Sequence, residues 1–366
     1  MTTLTTVDCP LLRTTLGGRT DYWNDSCAVD ELAYAVDRGA TGATSNPSIV
    51  LEVMKREAAV WSPRVRELAV EHPRWSEVEL AWAIVEEMAA RGAAVLLPIF
   101  ERDRGARGRL SVQVDPANYR DPDRMVEQAV RLADIAPNIQ VKFPVTAAGI
   151  IGLEEATARG ITVTATVAFS VAQALAAAEA VERGLDRRER SHPGSTAAMA
   201  PVCALMVGRV DDWLKAVAER DDLAVDPTAL DWAGIAVAKR AYGLFRRRGY
   251  RTRLLIAAYR HRLHWTEFVG GDLAMTIPHR WQLRFNASAI DPVPRIDVPV
   301  DQAIVDELTT RMPDFCRAYE PDGLRPDEFD GYGATARTLR SFIGAYHDLL
   351  GAVRDASLPN PDIRTH

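Results

Sequence analysis

Lys142 is one of only four lysines, with Lys55, Lys215 and Lys239, in a chain that carries 40 arginines (44 basic residues less these 4). It stands at the centre of Ile139-Gln140-Val141-Lys142-Phe143-Pro144-Val145, a β-branched run with the character of a buried strand. An ammonium group in such a run is costly to bury unpaired, and desolvation lowers its pKa toward the range in which a neutral amine attacks a carbonyl. Arginine never deprotonates and cannot do that chemistry. Lys142 is therefore either a catalytic amine or a lysine that pairs with a carboxylate at the end of its strand.

Polar side chains recur at the ends of other apolar runs: Asp25, Thr44, Ser45, Asn46, Gln113, Thr166, Arg209 and Arg260. A carboxylate, an amine, hydroxyls and two guanidiniums supplied by separate strands would make a Schiff-base aldolase site with room for an anionic substrate. Read singly, several have plainer roles. Asp25 could cap a helix that begins near Val29, Asn46 could cap or turn the chain before Pro47, and most arginines of so arginine-rich a chain are solvated.

The elements that must position these residues alternate in kind. Short apolar segments at Asp21 to Asp25, Gly39 to Thr44, Leu110 to Val114, Gln140 to Phe143, Thr162 to Ala168, Val202 to Val207, Arg253 to Ala258 and Met275 to Ile277 read as strands. Amphipathic stretches between them read as helices: Val29 to Asp37, Ser48 to Ala58, Trp75 to Arg91, Asp123 to Ile135, Ala147 to Arg159, Ser170 to Arg183 and Leu230 to Arg248. Eight βα units predict an α/β fold, a closed (β/α)8 TIM barrel, whose catalytic groups sit at the C-terminal ends of the strands. Ser170 is the expected N-cap of its helix, and Leu185 to Ser195 is expected to be an exposed insertion. After a proline-rich passage from Asp291, additional C-terminal helices at Asp301 to Met312 and Gly333 to Arg354 are expected on the outside of the barrel. The organisation is one domain over residues 1–366, with the barrel at about 21–290 and the helical extension at about 291–366.

Composition narrows the function classes. A net charge of −6 and 47% hydrophobic residues suit a globular enzyme and argue against nucleic acid or an anionic membrane as partner. The residues from Met1 to Thr15 lack a basic region followed by an apolar one, and no apolar run reaches spanning length, so the expected location is cytoplasmic. Cys9, Cys27, Cys203 and Cys316 are far apart and contain no CxxC pair. His261 and His264 are the only close histidine pair, without matched ligands, so no metal is expected.

Five collinear blocks carry a resemblance. Gly42 to Ile49 (GATSNPSI), Val141 to Ile150 (VKFPVTAAGI), Thr164 to Ala174 (TATVAFSVAQA), Val207 to Trp213 (VGRVDDW) and, less closely, Gly271-Asp272 to Thr276-Ile277 are similar to signatures of the transaldolase family. The resemblance runs from about Asp25 to Pro278. It implies class I aldol chemistry without cofactor: transfer of a three-carbon dihydroxyacetone unit between sugar phosphates, in a protein that often forms a homodimer. It further implies roles: Lys142 as Schiff-base amine, Asp25 as the base at the C4 hydroxyl and Thr166 as orienter of water. Thr44, Ser45 and Asn46 would bind the dihydroxyacetone fragment, and Arg209 and Arg260 the phosphate.

The chain also departs from that family. Gln113 stands where ordinary transaldolases carry a glutamate that works with water, as in the fructose-6-phosphate aldolase branch, and an amide cannot transfer protons. That branch has a tyrosine where this chain has Met206, so the acid for imine formation is unassigned. Ala204 and Ala258 replace serines, and Thr164 replaces an asparagine beside the lysine. The pocket is therefore expected to serve a specialised sugar pathway outside the pentose phosphate pathway. Two other functions fit the same residues: a class I aldolase with no obligatory acceptor sugar, and a barrel that binds sugar phosphates without turnover.

Overall fold

The computed structural model describes residues 7–16, 18–358 and 361–362. Eight parallel strands close into a barrel in sequence order: β1 (Asp21–Asn24), β2 (Gly42–Thr44), β3 (Arg109–Gln113), β4 (Ile139–Pro144), β5 (Val163–Ala168), β6 (Val202–Met206), β7 (Arg253–Ala257) and β8 (Leu273–Ile277). Asn24 pairs with Ile277 to close the ring. All eight expected strands are present, with shifts of one to three residues at their ends. A small apolar cluster of Trp23, Val202, Ala204, Leu255 and Ala274 is separate from the main core, which lies between the strands and their helices. The division follows strand alternation, which turns successive side chains to opposite faces. Among the described residues no helix is long and apolar enough to cross a membrane.

Local chemistry explains the helix starts around the upper rim. Asn46 Oδ1 accepts from the Ser48 and Ile49 amides and caps Pro47–Arg56, with proline at the tolerated first position. Ser170 caps Val171–Ser191 by accepting from the Gln173 amide, as expected. The helix at Val29–Val36 starts from Ala28 with no side-chain cap, so Asp25 is not its cap.

Three readings of local structure are corrected. The arginine-rich stretch from Leu185 does not interrupt the barrel: helix Val171–Ser191 continues through it, and Arg183 and Arg187 pair with Glu154 and Glu155 of the neighbouring helix. Only residues 192–201 form the loop. Helices at Ala58–Glu71 and Val207–Arg220 were not foreseen, and the helix expected from Trp75 runs on to Arg102.

The long C-terminal helix Gly333–Ser357 packs along the C-terminal rim of the barrel, against Pro47–Arg56, Ala58–Glu71 and the end of β5. Gly333 allows this approach, because a Cβ there would lie 1.9 Å from the Trp213 ring. The far end is held by Arg354, whose guanidinium grips both oxygens of Glu77 at 2.7 Å.

Candidate active site

Lys142 rises from β4 in register with Gln113 on β3 and Thr164 on β5. It is 5% exposed, and its Nζ donates to the Ser45 carbonyl at 3.4 Å. No carboxylate comes within salt-bridge reach of Nζ among the described residues. Burial pushes the ammonium down to about 8, against the opposing attraction of the Asp25 charge and with a further push from Arg209. Asp25, just past β1, moves the other way. Desolvation raises its pKa, while the Lys142 charge and a hydrogen bond from Thr44 restrain the rise.

That hydrogen bond is part of a short chain. Thr44 Oγ1 donates to Asp25 Oδ1 at 2.6 Å, so its contact of 2.6 Å with Thr276 must be one in which Thr276 donates. Asp25 is thus oriented by two strands that flank it, β2 and β8. Thr276 carried no signal beyond its position at the end of the last strand.

A cavity of about 460 Å³ opens at this end of the barrel. Of the expected residues, Asp25, Asn46, Lys142, Thr166, Ala204, Arg209, Ala258 and Arg260 line it. Four others do not reach its wall. Thr44 is buried behind Asp25. Ser45 offers its carbonyl to Lys142 while its hydroxyl turns to Cys27 Sγ at 3.7 Å. Thr164 bonds Ser111 at 2.7 Å beneath the lysine. Gln113 is buried, and its Oε1 has no protein partner. The Thr166 hydroxyl and the Tyr259 hydroxyl are likewise buried without a protein partner, and both residues line the cavity. Such groups are the usual places for bound water or ligand.

Two residues at the strand ends hold strained backbone. Val167 has φ 57° and Ala258 φ 67°, the left-handed region that β-branched and other L-residues rarely enter. Val167 coincides with a register shift between β5 and β6, and re-aims the chain directly after Thr166. Gln173 fixes it from behind: its Nε2 donates to the Val145 and Val167 carbonyls, and its Oε1 accepts from the Phe169 amide. Ala258 stands two residues before Arg260, and its carbonyl passes so close to Gly208 that a Cβ there would lie 2.0 Å away.

The two arginines are held differently. Arg209 lies in the first turn of Val207–Arg220, above the Phe342 ring at 5.2 Å, and donates to Thr338 Oγ1 at 3.3 Å. Burial, then the Arg260 charge, lowers its pKa. Arg260 grips the Asp212 carboxylate, with contacts of 2.6 to 3.1 Å. Its backbone N–H donates to His264 Nδ1 at 3.1 Å, which leaves the His264 proton on Nε2, facing Asp211 Oδ2 at 2.8 Å. Asp211 and His264 are both buried, and desolvation, resisted by Asp211, lowers the His264 pKa. The ligand atoms of Asp211, His261 and His264 lie within 4.8 Å of one another. Both His264 nitrogens are already engaged, so the cluster acts as a buried brace for the Arg260 backbone.

The family model Transaldolase/Fructose-6-phosphate aldolase matches residues 22–324. The chain belongs to that family. A transaldolase of Thiobacillus denitrificans is 30% identical over 289 residues, covering 72% of this chain and 79% of its own. A transaldolase of Mycobacterium tuberculosis is 31% identical over 216 residues, and one of Thermobifida fusca 33% over 177. These two alignments cover 57% and 48% of this chain, and 56% and 47% of those proteins, so the chain matches about half of each. Family membership accounts for the barrel. The family match ends before helix Gly333–Ser357, which supplies Thr338 and Phe342 to Arg209.

Proposed function

We propose that this protein is a class I, Schiff-base transaldolase that moves a dihydroxyacetone unit between phosphorylated sugars. The observation that carries the reading is the opposed pair: an amine pushed down to about 8 and a carboxylate pushed up, in one cavity. With that pKa about a tenth of Lys142 is neutral at pH 7 and about half at pH 8, enough for attack on a ketose carbonyl.

The shared cavity supports the following sequence of steps. Lys142 Nζ adds to the C2 carbonyl, and loss of water gives the imine. Asp25 takes the C4 hydroxyl proton; the C3–C4 bond breaks, its electron pair flows into the imine and an aldose phosphate leaves. The resulting enamine adds through C3 to the aldehyde of an acceptor sugar, and Asp25 returns its proton to the new hydroxyl. Water held by the free hydroxyl of Thr166 hydrolyses the imine. Arg209 and Arg260, which line the same cavity, bind the terminal phosphate. Asn46, whose Oδ1 is committed to the helix cap, has its amide N–H groups left for a substrate hydroxyl.

A second reading has one observation in its favour. Gln113, paired in register with Lys142, can hold a water but cannot activate it, which fits an aldolase that releases its aldehyde without an obligatory acceptor. Borohydride trapping with fructose 6-phosphate tests the shared step: an adduct on Lys142 is expected, and none would overturn both. Product analysis with and without an aldose phosphate acceptor then separates them. Acceptor-dependent turnover supports transfer, and equal turnover without acceptor supports the aldolase.

A further inference from the structure

Beside the main cavity lies a second of about 260 Å³, lined by Arg209, Asp212, Arg260, Arg337, Thr338 and Ser341. It shares its two barrel arginines with the main cavity and takes the other wall from helix Gly333–Ser357. Three guanidiniums face one carboxylate there, leaving two net positive charges in a space with ample room for a phosphate group. Arg337 donates to the Asp212 carbonyl at 3.3 Å, while Arg260 holds the Asp212 carboxylate. The Arg209 pKa is depressed by burial and by the like charges of Arg260 and Arg337, so the cluster is short of negative charge even with Asp212 present.

The backbone adds to this field. Helices Val207–Arg220 and Gly333–Ser357 both begin at the cavity, where Arg209 and Ala334 lie in their first turns, and no side chain caps either start. An uncapped helix start presents partial positive charge and free N–H groups to an anion. Thr338 and Ser341 also bring hydroxyls to this cavity.

We propose that the phosphate site is completed by the C-terminal helix, with Arg337 as its third guanidinium, and that it takes the dianion of a phosphate monoester. In the free protein the Asp212 carboxylate occupies Arg260, and a phosphate displaces it there, so that the two net positive charges meet the roughly two negative charges of a monoester. Arg337 is a specificity-determining residue that the family match, ending at residue 324, does not reach. The inference rests on the proposed phosphate-binding role of Arg209 and Arg260.

Inorganic phosphate is the first probe, read by the rise it causes in Tm. The concentration that gives half the wild-type rise is expected to increase about tenfold in Arg337→Ala, since one charge-assisted contact is lost. Arg337→Lys, which keeps the charge but not the planar fork, should recover part of that loss. Kinetics with fructose 6-phosphate and fructose give the second readout. Arg337→Ala should lower kcat/KM for the phosphorylated sugar about tenfold more than for the free one, mostly through KM. Arg337 is exposed, so a folding defect is not the expected confounder, and Tm without phosphate checks this. An unchanged phosphate response in Arg337→Ala overturns the proposal. Arg209→Ala and Arg260→Ala, run in parallel, show how far the failure extends. If they lose the response and Arg337→Ala keeps it, only the extension fails; if all three keep it, the phosphate reading of the whole site fails with it.

Discussion

The burial that lowers the Lys142 pKa weighs against the fold. Its pKa falls from 10.5 to about 8 on folding, so between those values the unfolded chain holds more protons than the native one, and stability contributed by this residue rises with pH across that window. At pH 7 the cost is about 3 kcal/mol, and Lys142→Met, which packs a similar stem without charge, should be more stable than wild type by an amount of that order. The advantage should vanish above about pH 10.5; a variant less stable at pH 7 would mean that neighbours over-compensate the buried charge. Lys142→Arg should keep the fold and lose both imine trapping and turnover, because a guanidinium is no nucleophile. Asp25→Asn should still form the imine with a ketose yet fail to cleave it; cleavage near the wild-type rate would assign the base to another residue. At this scale the sequence shows residue types at strand ends but not which way each side chain turns. Lys142 was conspicuous because it is a charge inside a buried strand, whereas Asp25, Arg209 and Arg260 lie beyond their strands and were marked by strand-end position and by the family resemblance. The pairing of His264 with Asp211 was not legible, because a histidine in the one-turn helix Leu263–Thr266 and an acid in another helix carry no pattern until the fold brings them to 2.8 Å.

At the scale of elements, the strands were legible from short apolar runs between helices, and the helix within Val207 to Trp213 was not, because its β-branched start continues the pattern of β6. The arginine-rich end of Val171–Ser191 looked like a loop for the opposite reason: its charges are satisfied by a partner helix that local sequence does not reveal. Helix Gly333–Ser357 shows the limit of periodicity, which gives an apolar face but not the surface it will meet. Gln173 links several of these elements, bonding the end of β4, the strained turn after Thr166 and Thr335 on the C-terminal helix. Gln173→Leu would leave buried carbonyls and an amide without partners and should destabilise the protein by about 2–4 kcal/mol. Thermal melting checks the stability. A parallel loss of Lys142 trapping would place the turn at Val167 among the features the site depends on, whereas intact trapping would confine Gln173 to stability.

At the scale of the molecule, the net charge of −6 offers an anionic substrate no long-range attraction, and recognition must come from the local arginines. Raising the ionic strength from about 0.05 to about 0.5 M should therefore reduce the preference for phosphorylated over free sugar, measured as a ratio of kcat/KM values. A ratio that does not move would point to shape, not charge, as the basis of the preference. The order of the strands has a kinetic consequence. Asp25 follows the first strand and shares the cavity with Lys142 only in a ring that closes when β1 meets β8, some 250 residues later along the chain. Helical signal can return during refolding while the ring is still open, since each βα segment is local. Lys142 and Asp25 would then be present in the same molecule but not yet in the same chamber, so recovery of turnover works as a clock for ring closure and should lag behind recovery of secondary structure.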